Sequence, residues 1–564
     1  MKFQDYEYRR PVREEVESQF NALLLNFANA ESFEAQNEAM KEISRLRNDV
    51  DTMFNLCSIR HTIDTTDEFY QAEQDYMDEF QPVMQGMTTK FYKALVDSKF
   101  RNQLEDKWGK QLFSLAEAQL KTFSDEIVED LQQENKLASE YTKLVASAKI
   151  LFDGEERTLA QLTPYVESKD RNVRKEANEA RFGFFKEHED KFDEIYDKLV
   201  KVRTMIAKKL GFSNFVELAY LRLARTDYNA DMVKTFRDQV HQFIVPLASK
   251  LYERQRERIG VDALKFYDEA FKFQTGNATP KGSPEWIIEN GKKMYEELSP
   301  ETHEFFTYMI KNNLMDLEAK KGKASGGYCS ILANYGSPYI FSNFNGTSGD
   351  IDVLTHEAGH AFQVYSSRNY EVPEYYFPTY EACEIHSMSM EFFTWPWMEY
   401  FFKEETDKYK FSHLSDALLF LPYGVAVDEF QHFVYENPDV TPQERKQAWS
   451  NVERKYLPQR DYDGNKYLEN GGFWQRQSHI YNTAFYYIDY TLAQICAFQF
   501  WKRSREEKEA AWNDYLHICS IGGSKSFTDI VKEANLLSPF EDGCVQSVVG
   551  VIDEWLNSVD DKAL

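Results

Sequence analysis

No two cysteines of this chain stand at Cys-x-x-Cys spacing: Cys57, Cys329, Cys383, Cys496, Cys519 and Cys544 are scattered. That disfavours a thiolate metal cluster and a redox dithiol, and isolated thiols fit a reducing compartment. Long apolar runs are also missing. The nearest candidate, Ala417 to Val427, carries Pro422 and Gly424 and falls well short of the roughly eighteen apolar residues of a membrane span. The opening, Met1-Lys2-Phe3-Gln4-Asp5-Tyr6-Glu7-Tyr8-Arg9-Arg10, has no apolar run followed by a small-residue cleavage site, so the expected location is cytoplasmic. Basic residues are outnumbered, 66 Lys and Arg against 93 Asp and Glu, for a formal charge of −27. Phosphate binding needs clustered Lys and Arg, so nucleic acid is not an expected partner; the acidic surplus reads as a solubilising surface. No repeat of fixed period and no low-complexity tract occurs, which removes solenoids and disordered linkers.

What is present is helical in texture. The 564 residues, 42% of them hydrophobic, suffice for a large core. Gly (24) and Pro (16) are sparse beside stretches rich in Glu, Lys, Leu and Ala, so the expected fold is mainly α with little sheet. From residue 12 to about 260, amphipathic patterns such as Val16 to Phe27, Phe69 to Phe91 and Leu104 to Leu120 follow one another, as in stacked helices. The first breaker cluster, Gln274 to Pro284, reads as a surface loop with Trp286 opening the next helix, and a second lies at Lys320 to Gly327. Then Tyr328-Cys329-Ser330-Ile331-Leu332 and Tyr339-Ile340-Phe341-Ser342-Asn343-Phe344 flank Asn334 to Pro338, the pattern of a small hairpin. The Tyr339 to Phe344 strand, just upstream of the next helix, is a candidate open edge for an extended peptide.

That next helix is the centre of the chemistry. Ser348 or Asp350 is a candidate cap, and Ile351 to Tyr365 has no breaker except the tolerated Gly359. It carries His356-Glu357-Ala358-Gly359-His360. Residues four apart share a helical face roughly 6 Å apart, so the two imidazoles can grip one ion. Zinc accepts such nitrogens at about 2.0 to 2.1 Å, and a catalytic site needs a third protein ligand and a position for water. Glu357 can direct its carboxylate toward that water as general base. His61, His188 and His241 read as packed or solvated residues.

A metzincin would have glycine and histidine where this chain has Gln363 and Ser366, so the third ligand is not on that helix. Phe377-Pro378-Thr379 starts a second helix, Tyr380 to Thr394, broken by Trp395-Pro396 and carrying Glu381, Glu384 and Glu391. A short connection lets it return beside the first. Spacing alone leaves Glu381 and Glu384 open. Glu384 shares a face with Glu391, seven residues on, so one can ligate while the other supports a ligating histidine; Glu381 reads as solvated.

These residues resemble the zinc peptidases typified by thimet oligopeptidase and oligoendopeptidase F, and among them the Pz-peptidase-like bacterial branch. The likeness rests on Thr355 to Ala361, on Glu384-Ile385-His386-Ser387-Met388-Ser389-Met390-Glu391, on Pro422 to His432 and on Phe473 to Tyr490. It runs from about residue 200 to the C-terminus; before that only helical texture matches. The resemblance implies His356, His360 and Glu384 as ligands of one zinc ion, Glu391 as support, and a deep channel between two halves that admits short peptides. The expected division is residues 1–195 as a helical roof and 196–564 as the catalytic domain, with a small sheet beside the zinc helix. A histidine followed by tyrosines touches the substrate carbonyl in such enzymes; here the candidates are His479, Tyr486, Tyr487 and Tyr490. On one helix, Tyr486 and Tyr490 share the face of His479 and Tyr487 is turned away, so Tyr490 and then Tyr486 are preferred. Gly471-Gly472 is a candidate hinge or a plain turn.

The expected activity is therefore hydrolysis of internal bonds of oligopeptides. Zinc polarises the carbonyl, and Glu357 takes the proton of water and passes it to the leaving amine. Binding partners are oligopeptides, with no nucleic acid and no membrane, and the protein is expected as a monomer or small homo-oligomer. The rivals are a helical zinc carboxypeptidase or dipeptidase, needing a cation for a terminal carboxylate, and a non-catalytic peptide-binding scaffold, which leaves Glu357 unexplained.

Overall fold

The computed structural model describes residues 1–320, 322–324 and 326–564, apart from the side chains of Asp125 and Ala160. The chain is mainly helical, as expected, with two small sheets. Within the expected breaker cluster at 320–327, Lys321 and Ser325 lie outside the described residues. No helix among the described residues is long and apolar enough to cross a membrane.

The N-terminal patterns fold as read, with one interruption. Val16 to Phe27 lies in the Arg13–Ala28 helix and Phe69 to Phe91 in Glu68–Val96, which runs through Pro82. Leu104 to Leu120 is not one helix: Gly109, at φ +88°, divides Arg101–Trp108 from Lys110–Lys121. Left-handed φ costs glycine little, so a periodic apolar pattern continues across a real break. These helices close on their own core, including Phe20, Phe27, Ile43, Leu95 and Leu112, which Val372 and Tyr375 join from the second half. The main core runs from Phe3 to Leu556.

At Gln274 to Pro284 the chain is irregular, and the Pro284–Leu298 helix begins there with Ser283 accepting from the Trp286 N–H. The hairpin forms: Tyr328–Leu332 pairs antiparallel with Ser337–Phe344, from Tyr328 opposite Phe341 to Leu332 opposite Ser337. A third strand, Met315–Glu318, lies parallel on the other side of Ser337–Phe344. This corrects the expected open edge. Tyr339 to Phe344 is the central strand, its backbone groups spent on both neighbours, and Tyr328–Leu332 is the outer strand on the hairpin side.

The sheet leads into the Gly349–Ser367 helix. Ser348 makes no side-chain cap; the Asp350 carboxylate reaches back to accept the N–H groups of Asn345 and Gly346, each at 2.8 Å. The second helix, Tyr380–Phe393, packs against it. Gly359 makes that approach possible. A Cβ there would meet the His386 carbonyl oxygen and Ser387 Cα at 2.7 Å, closer than packed atoms tolerate. Gly471-Gly472 is held tightly: a Cβ on Gly471 (φ +89°) would lie 2.2 Å from the Lys446 carbonyl oxygen, and one on Gly472 2.4 Å from the Tyr467 ring. These glycines serve close packing at a turn and do not form a hinge.

Candidate active site

Gly349–Ser367 and Tyr380–Phe393 bring three of the expected residues together. The donor atoms of His356, His360 and Glu384 all lie within 4.8 Å of one another. Glu384 Oε2 is 3.2 Å from His356 Nε2 and 3.6 Å from His360 Nε2. Glu384 also accepts hydrogen bonds from the Ser387 hydroxyl at 3.0 Å and the Tyr486 hydroxyl at 3.3 Å. Burial opposes its ionisation, but His360 and His356 outweigh burial and hold it well below the usual carboxylate range. Burial likewise opposes a charged His356, yet Glu384 and Glu391 drive its affinity for a proton well up. His356 stands between two carboxylates, Glu384 at Nε2 and Glu391 at Nδ1. Two imidazole nitrogens and a carboxylate oxygen are a donor set that zinc accepts.

Glu357 faces the same space and stays out of the triad. Its Oε2 is buried with no hydrogen-bond partner, and its Oε1 lies 3.4 Å from where a Cβ on Gly327 would stand. Burial raises its pKa, partly opposed by His356 and His360. Glu381, read as solvated, is instead 1% exposed with neither carboxylate oxygen hydrogen-bonded. Burial and then Asp489 push its pKa up. It lies on the side of the helix facing Arg225, whose guanidinium is paired with Asp489 at 2.6 Å.

The triad opens on a cavity of about 790 Å³. Gly327 and, in the edge strand, Tyr328 and Cys329 form part of its wall, with Tyr380, Tyr486 and Tyr490 nearby. Tyr92, Gln111 and Leu115 of the N-terminal helices close the far side, where Glu374 accepts the Tyr92 hydroxyl at 2.6 Å and Arg47 at 2.7 Å. A second cavity of about 400 Å³ lies on the other side of Tyr490 and is lined by Glu391, His413, His479 and Tyr487.

The tyrosine wall departs from the one-helix expectation. His479 sits in the short Ser478–Asn482 helix, and Tyr490 in Ile488–Glu506. Between them Phe485 turns the chain at φ +67°. The turn still gathers the rings around His479: centroids of Tyr486 and Tyr490 are each 5.8 Å away, and that of Tyr487, expected to point elsewhere, is nearest at 5.0 Å. Tyr486 and Tyr490 line the first cavity, whereas His479 and Tyr487 line the second; Tyr490 borders both. Gln477 Nε2 donates to His479 Nδ1 at 2.8 Å, so the neutral ring carries its proton on Nε2. Burial lowers the pKa of His479 and raises that of Tyr490, aided by Glu384, to about 12. The phenol is therefore neutral at physiological pH.

Glu391 stands behind His356, Oε1 against Nδ1 at 2.7 Å, and its Oε2 is 2.7 Å from His413 Nε2. His413 escaped sequence reading: it lies on the Thr406–Glu436 helix, far from the motif and at no diagnostic spacing. The far-wall residues Tyr92, Gln111 and Glu374 carried no motif either. His61, His188 and His241 are absent from both cavities.

The chain is similar to known proteins over most of its length. Residues 165–549 match the model of Peptidase family M3, and residues 3–123 match that of the Peptidase M3 N-terminal domain, so the likeness extends beyond helical texture in the N-terminal part. A Borreliella burgdorferi (strain ATCC 35210 / DSM 4680 / CIP 102532 / B31) protein, an oligoendopeptidase F homolog, is 26% identical over 424 residues, covering 70% of this chain and 69% of that one. Pz peptidase A, solved with an inhibitor, is 72% identical with a TM-score of 0.95, all of both chains being covered. Oligoendopeptidase-F from Enterococcus faecium, 16% identical over 98% of this chain and 99% of that one, shares the fold at a TM-score of 0.63. The chain belongs to peptidase family M3 and is a metalloendopeptidase.

Proposed function

We propose that this protein is a zinc-dependent endopeptidase that hydrolyses internal bonds of oligopeptides. The observation that carries this reading is the convergence of His356, His360 and Glu384 within 4.8 Å beside the unpartnered carboxylate of Glu357. His356 Nε2, His360 Nε2 and a Glu384 oxygen would hold the ion. When bound, zinc supplies Lewis-acid polarisation of the scissile carbonyl and a lowered pKa for water.

The chain's own groups do the rest. Glu357 accepts the proton of the attacking water on a carboxylate oxygen that no neighbour occupies, and delivers it to the leaving amine. The neutral hydroxyl of Tyr490 donates toward the oxygen that becomes negative, a contribution of about 3 kcal/mol for a well-placed donor; the Tyr486 hydroxyl, which donates to Glu384 at 3.3 Å, would join it on turning from that carboxylate. His479 offers a further N–H on Nε2 from the second cavity. The edge of Tyr328–Leu332 ahead of Ile331, whose carbonyl accepts from Asn55 at 2.8 Å, pairs with the peptide backbone and lays it across the triad. Roofing by the N-terminal helices keeps folded proteins out, and six free cysteines fit a cytoplasmic setting.

A carboxypeptidase would need a cation for the terminal carboxylate. Among the described residues lining the first cavity the arginine is Arg222, whose Nη1 pairs with Glu134 at 3.0 Å and whose Nη2 has no partner, so product mapping decides between the readings. Peptides of graded length with both termini blocked, their products mapped by mass spectrometry, test the reading. Internal cleavage of blocked peptides is expected. Cleavage confined to peptides with a free terminus would refute an endopeptidase.

A further inference from the structure

Both oxygens of Glu391 are occupied by imidazoles. Oε1 meets His356 Nδ1 and Oε2 meets His413 Nε2, each at 2.7 Å. On its other nitrogen, Nδ1, His413 receives the indole N–H of Trp395 at 3.1 Å. The series is largely shielded from water, with side-chain exposure of 7% at His413 and 15% at Glu391.

Its polarity is fixed at the Trp395 end. An indole N–H only donates, so His413 Nδ1 must accept, and the proton of the neutral ring sits on Nε2, aimed at Glu391. An ionised Glu391 only accepts, so His356 Nδ1 carries its own proton. That leaves the lone pair of His356 Nε2 directed at Glu384 and the centre of the triad. One tautomer of His413 satisfies both of its contacts, whereas His356 Nε2, 3.2 Å from Glu384 Oε2, needs a cation or a second proton between them.

Packing holds His413 in this orientation. Tyr409 stacks on it at 5.6 Å between centroids and 24° between planes, and Phe392 meets it edge-on at 4.9 Å. The Tyr409 hydroxyl is turned to Asp352, donating to Oδ1 at 2.6 Å, so it does not compete for Glu391.

We infer that His413 and Trp395 are positioning residues of the metal centre: through Glu391 they fix the orientation and tautomer of His356. The inference rests on the proposed reading of His356 as a metal donor. Removing His413 would leave Glu391 Oε2 without a donor and free the carboxylate to rotate away from His356. Carboxylate partners of a ligating histidine matter because they raise its basicity and hold its ring.

The test compares His413→Leu, His413→Gln, Trp395→Phe and His356→Ala in the full chain. Zinc dissociation constants come from chelator competition, and melting temperatures from the zinc-free proteins. His413→Leu is expected to weaken zinc binding about 10- to 100-fold, the usual cost of losing such a partner. His413→Gln, whose amide N–H reaches Glu391 from nearly the same place, should stay within about threefold, with Trp395→Phe between the two. His356→Ala should lose the metal. A zinc constant for His413→Leu equal to wild type, whatever its melting temperature, would reduce His413 to packing and overturn the inference if His356→Ala still loses zinc. Zinc retained by His356→Ala would sink the reading of the triad and this inference together. Should His413→Leu not fold, histidine-selective ¹⁵N spectra of the wild-type zinc-free protein decide: protonation at Nε2 of His413 is expected, and protonation at Nδ1 overturns the assignment.

Discussion

On one wall of the cavity, two unbroken helices carry His356, His360 and Glu384; on the other, a left-handed turn at Phe485 and the start of a long helix carry Tyr486 and Tyr490, with His479 on a five-residue helix in the adjoining cavity. Spacing translated directly into geometry on the first wall. His356 and His360, four apart, have ring centroids 5.0 Å apart, as an uninterrupted helix dictates. On the second wall the same arithmetic put Tyr487 on the wrong side. One residue at positive φ ends the period, and the rings are then arranged by packing around His479.

The comparison is sharpened first at Tyr490, which borders both cavities. Tyr490→Phe is expected to lower kcat about a hundredfold with KM nearly unchanged, because a donor to the developing oxyanion acts chiefly in the transition state. A rise in KM alone would make the hydroxyl a ground-state contact. Next comes the helical wall itself. Gly359→Ala must push Gly349–Ser367 away from the Tyr380–Phe393 backbone and should destabilise the fold by about 1 to 3 kcal/mol, read by denaturant melting. It should also weaken zinc binding, since the triad spans that contact; an unchanged zinc constant would break the link between helix approach and metal geometry. The smallest effect is expected at Tyr487. It faces the second cavity with His479, and Tyr487→Phe should alter kcat/KM by less than about threefold, the scale of one modest hydrogen bond. A loss matching that of Tyr490→Phe would show that the second cavity, not the first, holds the reacting carbonyl.

How much could be read in advance follows the same division. The helical class, the hairpin and the His356, Glu357 and His360 cluster were legible because they depend on local period and spacing. Glu384 stood level with Glu381 by spacing and was separated only by resemblance; burial then showed that Glu381 is not solvated. The strand Met315–Glu318 gave no local signal that it would cover one edge of Ser337–Phe344, so the open edge was assigned to the wrong strand. Sequence marks Gly359 only as tolerated and leaves Gly471 open between hinge and turn, since the backbone each one faces is remote in sequence. His413 was invisible for that reason too: its role depends on two helices meeting at Glu391.

The central claim is that His356, His360 and Glu384 hold a zinc ion on which Glu357 acts without ligating. Glu357→Gln keeps size and shape but removes the proton acceptor. Zinc content and turnover of a blocked oligopeptide, measured on the same purified sample, test the claim directly. Near-stoichiometric zinc with kcat reduced at least about a thousandfold is the expected result, general-base and positioning effects combined. Wild-type turnover with zinc in place, or loss of zinc from this variant alone, would contradict it.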